Sequence, residues 1–142
     1  MRRVYIDANV ILRFLTGDPP DMAAAARALF EAVEQGKVIL VIDEIIVAEA
    51  VWVLKSFYGY PHDEIARILS ELLSHDGLEA GNIPGLLVAL DLFAEKNIDF
   101  ADALVAVHMR ERGILEIFSF DLHFDRVADV VRLSPDAVGD LL

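Results

Sequence analysis

Apolar positions along the chain change period at punctuation residues, and the alternation predicts strands interleaved with helices. Arg3–Ile6 (RVYI) is a short strand stopped by Asp7. Asp18 followed by Pro19 and Pro20 reads as a helix start, an N-cap with prolines in the first turn. The Ala-rich run continues to Gln35, and Gly36 supplies a C-terminal stop. Lys37–Ile42 (KVILVI) is a continuous β-branched run, the mark of a strand buried on both faces. Asp43 caps a helix through about Phe57. Tyr60 and Pro61 open another, with Ile65, Ile68, Leu69 and Leu72 on one face. Leu78–Glu79 is a very short strand. Pro84 opens a helix that Asn97 ends after Lys96, and Asp99 caps one that ends at Gly113. Leu115–Phe118 is a strand, Asp121–Asp125 a turn, and Val130–Leu133 the final strand. Strands alternating with helices imply a parallel sheet covered on both faces, hence the α/β class. In such sheets ligands bind beyond the carboxyl ends of the strands. That rule directs attention to Asp7, to the residues after Ile42 and to those after Phe118.

The length, 142 residues, is that of one domain spanning 1–142, with the last nine residues a tail. An apolar fraction of 56% excludes intrinsic disorder. No uninterrupted apolar run exceeds five residues, far short of the roughly 20 a membrane span needs, so the expectation is a cytoplasmic protein. Cysteine is absent, which removes disulfides, thiolate zinc sites, iron–sulfur clusters and a thiol nucleophile. The formal charge is −12, from 12 basic and 24 acidic residues. A nucleic-acid binder working by bulk electrostatics would be basic, so any such partner must be reached through metal cations or a local basic patch.

Candidate chemistry lies in the acids. Asp7 and Asp121 each come directly after a strand, and Asp99 and Asp102 stand three apart at one helix start, on the same face. Glu49 stands alone in IIVAEAVWVL, with apolar residues at 45, 46, 52 and 53, so it is expected on an apolar face, where an unpaired carboxylate is costly. Asp7, Glu49, Asp102 and Asp121, if grouped, would repel unless a cation sits among them. An all-oxygen set selects a hard cation, Mg²⁺ or Mn²⁺, and such an ion favours phosphate chemistry. The phosphate-loop, dinucleotide and serine-elbow motifs are missing. The histidines at 62, 75, 108 and 123 show no metal-ligand spacing and read as ordinary surface or helix residues. The Trp52, Phe57, Tyr58 cluster reads as core or dimer surface.

In order, YIDANVILRFLTGD, IVAEAVWVL, IDFADALVAVHMRERG and FSFDLHFDRV resemble the PIN-domain ribonucleases, most of all the VapC-type toxins of prokaryotic toxin–antitoxin pairs. The likeness spans residues 1 to about 133. It implies a three-layer α/β/α sandwich around a parallel sheet of four or five strands. It also implies Mg²⁺- or Mn²⁺-dependent endoribonuclease activity by a metal-activated water. Position by position, it implies that Asp7 is a metal ligand with Asn9 its polar companion. Glu49 is the mid-helix acid, Asp102 the acid opening the later helix with Asp99 accessory, and Asp121 the fourth acid. Ser119 and Asp125 are supporting groups, and Arg13 matches a position often basic in the family. Ala8 stands where the family more often has Thr, which removes a hydroxyl but no ligand.

Two rivals use the same acids. A phosphatase of the haloacid-dehalogenase type needs a second Asp where Asn9 stands and a better-placed lysine than Lys96. A PIN-like scaffold without activity should have lost acids, and all four remain. The partners expected are RNA, a second copy of the chain and a small antitoxin protein. The antitoxin would lay apolar side chains along a groove and deliver an Arg to the acidic cluster.

Overall fold

A computed structural model describes residues 1–142. The chain runs β1 (Arg2–Tyr5), α1 (Ala8–Thr16), α2 (Pro20–Glu34), β2 (Val38–Ile42), α3 (Glu44–Ser56) and α4 (His62–Leu73). It continues through β3 (Leu78–Ala80), α5 (Ile83–Lys96), α6 (Phe100–Arg112), β4 (Glu116–Phe118), β5 (Val131–Leu133) and a short α7 (Val138–Leu141). A 3-10 turn, Leu122–Arg126, joins β4 to β5. Every strand pairing is parallel; α-helices supply the crossovers among β1, β2 and β3, and the segment with the 3-10 turn supplies the one from β4 to β5. The class is therefore α/β.

The strands form a three-stranded sheet ordered β1-β2-β3 and a two-stranded sheet, β4-β5. The single sheet of four or five strands expected from the resemblance is thus divided. β4 and β5 are only three residues each. The segment between them is docked by side chains instead of a backbone ladder to β1. Phe124 and Val127 are buried. Arg126 donates to the carbonyl of Asn97 at 2.7 Å, and Arg110 forks onto Asp129 at 2.8 and 3.0 Å.

The core lies around the three-stranded sheet. Leu40 and Ile42 of β2, Leu54 of α3, Ile65 and Leu69 of α4, and Leu86 and Leu90 of α5 are essentially inaccessible to water. Burial of β2 on both faces was expected, but only Leu40 and Ile42 are fully covered and the alternate residues are half-buried. No polar or charged residue is buried, so every carboxylate keeps access to solvent.

Three local features differ from expectation. Helix α1 fills residues 8–16, where the sequence indicated only the end of a strand; Asp7 caps it, accepting from the Val10 amide at 3.2 Å. Asp18 is not the cap of α2; that position falls on Pro19, which has no side-chain acceptor. Asp99 occupies the N-cap position of α6 without making a capping bond. No helix is long and apolar enough to cross a membrane. Residues 134–142 form a 3-10 turn and α7, and none of them is buried.

Candidate metal centre

The turn after β4 builds one half of the site. Ser119 Oγ accepts the Asp121 amide at 2.9 Å, and Asp121 Oδ1 accepts the His123 amide at 2.9 Å. These two bonds fix the Asp121 carboxylate at the mouth of the 3-10 turn. Arg132 ties the same loop from β5, donating to Asp125 Oδ1 and to the carbonyl of Ser119, each at 3.1 Å. Ser119 and Asp125 therefore shape the loop that carries Asp121.

The first turn of α6 builds the other half. Asp102 lies one turn inside the helix, where the helix dipole favours negative charge. Its carboxyl is pushed up from the ordinary aspartate value, first by burial, then by the charges of Asp121 and Asp99, with His123 opposing. A carboxyl raised by two neighbouring carboxylates is the electrostatic mark of a site short of positive charge. The one cation beside it is Lys55 of α3, 3.6 Å from Asp99 Oδ1.

His123 completes the cluster. One of its ring nitrogens and one carboxylate oxygen from each of Asp99 and Asp102 lie within 4.8 Å of one another. His123 Nδ1 is 3.2 Å from Asp121 Oδ1, but not in hydrogen-bonding geometry, and it is buried with no partner. Ligands of an octahedral ion with bonds near 2.1 Å stand about 3.0 Å apart when adjacent and about 4.2 Å apart when opposite, so these atoms are near the spread that one cation requires. The residues that fit a divalent cation are Asp99, Asp102 and His123, with Asp121 beside the His123 ring.

Asp7 and Glu49 line the grooves around α1 and are outside the group formed by Asp99, Asp102 and His123. Asp7 lines a groove of about 430 Å³ between α1 and α2 with Asn9, Val10, Arg13, Met22 and Leu29. Glu49 lines an adjoining groove that shares Asn9 and Arg13 and adds Asp18 and Tyr58. Neither acid contributes to the shift of Asp102. The expected apolar surroundings of Glu49 need correction. Its helix neighbours Ile45 and Trp52 are themselves 73% and 66% exposed, so Glu49 shares a solvent face with them. Trp52 and the 76%-exposed Phe57 are surface residues, and Tyr58 donates its hydroxyl to Asp18 Oδ2 at 3.1 Å.

Arg13 pairs with no carboxylate. Its Nη1 donates to the carbonyl of Asp18 at 3.3 Å, and its Nε is buried without a partner. Two members of the site were not read as such from the sequence. His123 was set aside for lack of metal spacing, although a His two residues after a loop Asp is where an Asp-centred turn folds a side chain back. Lys55 reaches Asp99 only through tertiary packing.

The PIN domain family model matches residues 4–130. The chain belongs to the PIN-domain family. Among curated proteins it is similar to a VapC ribonuclease from Aquifex aeolicus (strain VF5), 25% identical over 122 residues. That alignment covers 86% of this chain and 90% of the relative, and it bears out the VapC-type likeness.

Proposed function

We propose that this chain is a metal-dependent endoribonuclease and the toxin of a toxin–antitoxin pair. The observation that carries the reading is the convergence of Asp99 and Asp102 with a ring nitrogen of His123, with Asp121 beside that ring and the His123 Nδ1 left unpartnered. Family membership and the likeness to a VapC ribonuclease support it. A bound Mg²⁺ or Mn²⁺ supplies a water of lowered pKa and offsets the charge that builds on the phosphoryl oxygens.

The chain's own residues divide the remaining work. Asp102 and Asp121, with Asp99 beside them, hold the cation. Asp7 and Glu49 complete the catalytic acids from the α1 side. Arg13, unpaired among Asp7, Asn9 and Glu49, holds a phosphate of the RNA strand, and Asn9 orients it.

The α1–α2 groove, apolar along Val10, Met22 and Leu29 and acidic at Asp7, suits an antitoxin segment of apolar residues ending in a basic one. The function is tested by incubating the full chain with RNA oligonucleotides and added Mn²⁺ or Mg²⁺, with and without EDTA. Internal cleavage that EDTA abolishes is expected. Release of phosphate from monoesters without RNA cleavage would favour a phosphatase instead.

A further inference from the structure

We propose that His123 is a nitrogen ligand to the cation, and that it gives the site a preference for Mn²⁺ over Mg²⁺. The inference rests on the metal-dependent reading above and concerns which donor atoms hold the ion.

One buried polar atom of the ring has no partner within the chain. His123 Nδ1 is shielded from solvent and neither donates nor accepts a hydrogen bond. A buried nitrogen left in that state costs free energy that a surface ring could avoid by turning to water. Its nearest acidic oxygen, Asp121 Oδ1 at 3.2 Å, is already the acceptor of the His123 amide at 2.9 Å. An ion pair between ring and carboxylate would align Nδ1–H with that oxygen, and it does not. That leaves Nδ1 without a partner inside the chain.

The ring is also held where it is. Its backbone belongs to the 3-10 turn whose next residue, Phe124, is buried, as is Val127 just beyond. The side chain remains 38% exposed, which leaves room for water and a phosphate beside the cation. The carboxylates of Asp99 and Asp102 close the other side, within 4.8 Å of a ring nitrogen.

Donor chemistry then sets the choice of ion. Mg²⁺ binds oxygen almost exclusively and gives up water reluctantly, so an imidazole adds little to its affinity. Transition-metal ions accept imidazole, and Mn²⁺ is the hardest of the divalent series, still at home among carboxylates. Three carboxylates and one imidazole form a set that Mn²⁺ uses in full and Mg²⁺ does not.

The test uses the full chain, freed of metal and reloaded with Mn²⁺. Pulsed electron paramagnetic resonance should show a ¹⁴N coupling to bound Mn²⁺ in the unmodified protein. His123→Gln should remove that coupling. It should also weaken Mn²⁺ binding by about tenfold or more while changing Mg²⁺ binding much less. The first measurement needs no variant, so a poorly folding His123→Gln protein leaves the proposal open to refutation. Bound Mn²⁺ without nitrogen coupling would overturn the histidine assignment and leave the nuclease reading intact. Full RNA cleavage in EDTA would overturn the metal-dependent reading and this inference with it.

Discussion

Asp99, Asp102 and Asp121 converge with no arginine in ion-pairing range, whereas Asp7 and Glu49 line grooves that both contain Arg13. In the first region burial, and after it the charges of Asp121 and Asp99, push the Asp102 carboxyl up; the second region spreads its charge along an open surface beside an unpaired guanidinium. A concentrated cluster calls for a small dense cation. A groove of mixed charge suits a chain of spaced phosphates with sugars and bases between them. On the proposed function the two regions would divide ion binding from strand binding, and helix α3 joins them, since it carries Glu49 in one and Lys55 beside Asp99 in the other.

Neutralising an acid in each region separates the two roles most strongly. Asp121→Asn should lower cleavage by about 10²–10³-fold and weaken Mn²⁺ binding. Glu49→Gln should lower cleavage while leaving Mn²⁺ affinity close to that of the unmodified chain. Equal losses of Mn²⁺ affinity, measured by titration calorimetry, would merge the regions into one four-acid centre.

Arg13→Ala addresses the strand-binding side. The expected result is a KM raised about tenfold with kcat largely kept, the loss of one charge-assisted phosphate contact. Cleavage should also become less sensitive to salt, and Arg13→Lys should recover part of both effects. A fall in kcat with KM unchanged would assign Arg13 to the reacting centre.

Asp102 reports on the charge of the cluster. Its carboxyl is raised, so the folded chain keeps this proton at a pH where the unfolded chain has lost it. The stability from this group is full at acid pH and falls as pH rises from the ordinary value of 3.8 through the raised one. In EDTA at neutral pH, Asp102→Asn should therefore raise Tm and flatten that fall. Added Mn²⁺ at a hundred times its Kd should stabilise the unmodified chain by about 2.7 kcal/mol and the variant by less. A lower Tm for Asp102→Asn in EDTA would make this residue a helix-opening group instead.

How much of this was legible in the sequence follows from the range of the forces involved. Helices α4 and α5 were readable because their signals are local: Pro61 and Pro84 at the starts, a 3.6-residue apolar stripe, and Asn97 in the left-handed region at φ 52°. Helix α1 was missed because VILRFL is short and apolar enough to serve as strand or helix, and only its packing against α2 and α3 decides. The convergence of Asp102 and Asp121 was foreseeable from the rule about strand ends. The solvent exposure of Glu49 was not, because the sequence pattern shows apolar neighbours without showing that Ile45 and Trp52 are exposed too. His123 escaped because its ligand-like placement depends on a turn hydrogen bond, which spacing in the sequence does not encode.

The smallest effect belongs to the link between the two-stranded unit and α6. Arg110 is raised and Asp129 lowered by their mutual hydrogen bonds, yet both are exposed, and water screens the pair. Arg110→Ala should cost no more than about 1 kcal/mol in denaturant titrations and leave Mn²⁺ affinity unchanged. A marked loss of Mn²⁺ binding would mean that this link holds Asp121 and His123 in register with Asp102.

The central claim is that a divalent cation at the Asp99–Asp102–Asp121 cluster drives RNA cleavage. It is tested most directly by titrating the metal-free chain with Mn²⁺ against a labelled RNA oligonucleotide, with bound Mn²⁺ counted in the same samples by electron paramagnetic resonance. No cleavage is expected in EDTA, the rate should climb in proportion to bound Mn²⁺, and Asp121→Asn at the same Mn²⁺ should bind it more weakly and cleave about 10²–10³-fold more slowly. Cleavage at full rate before any Mn²⁺ is bound, or an Asp121→Asn protein that cleaves normally, would contradict it.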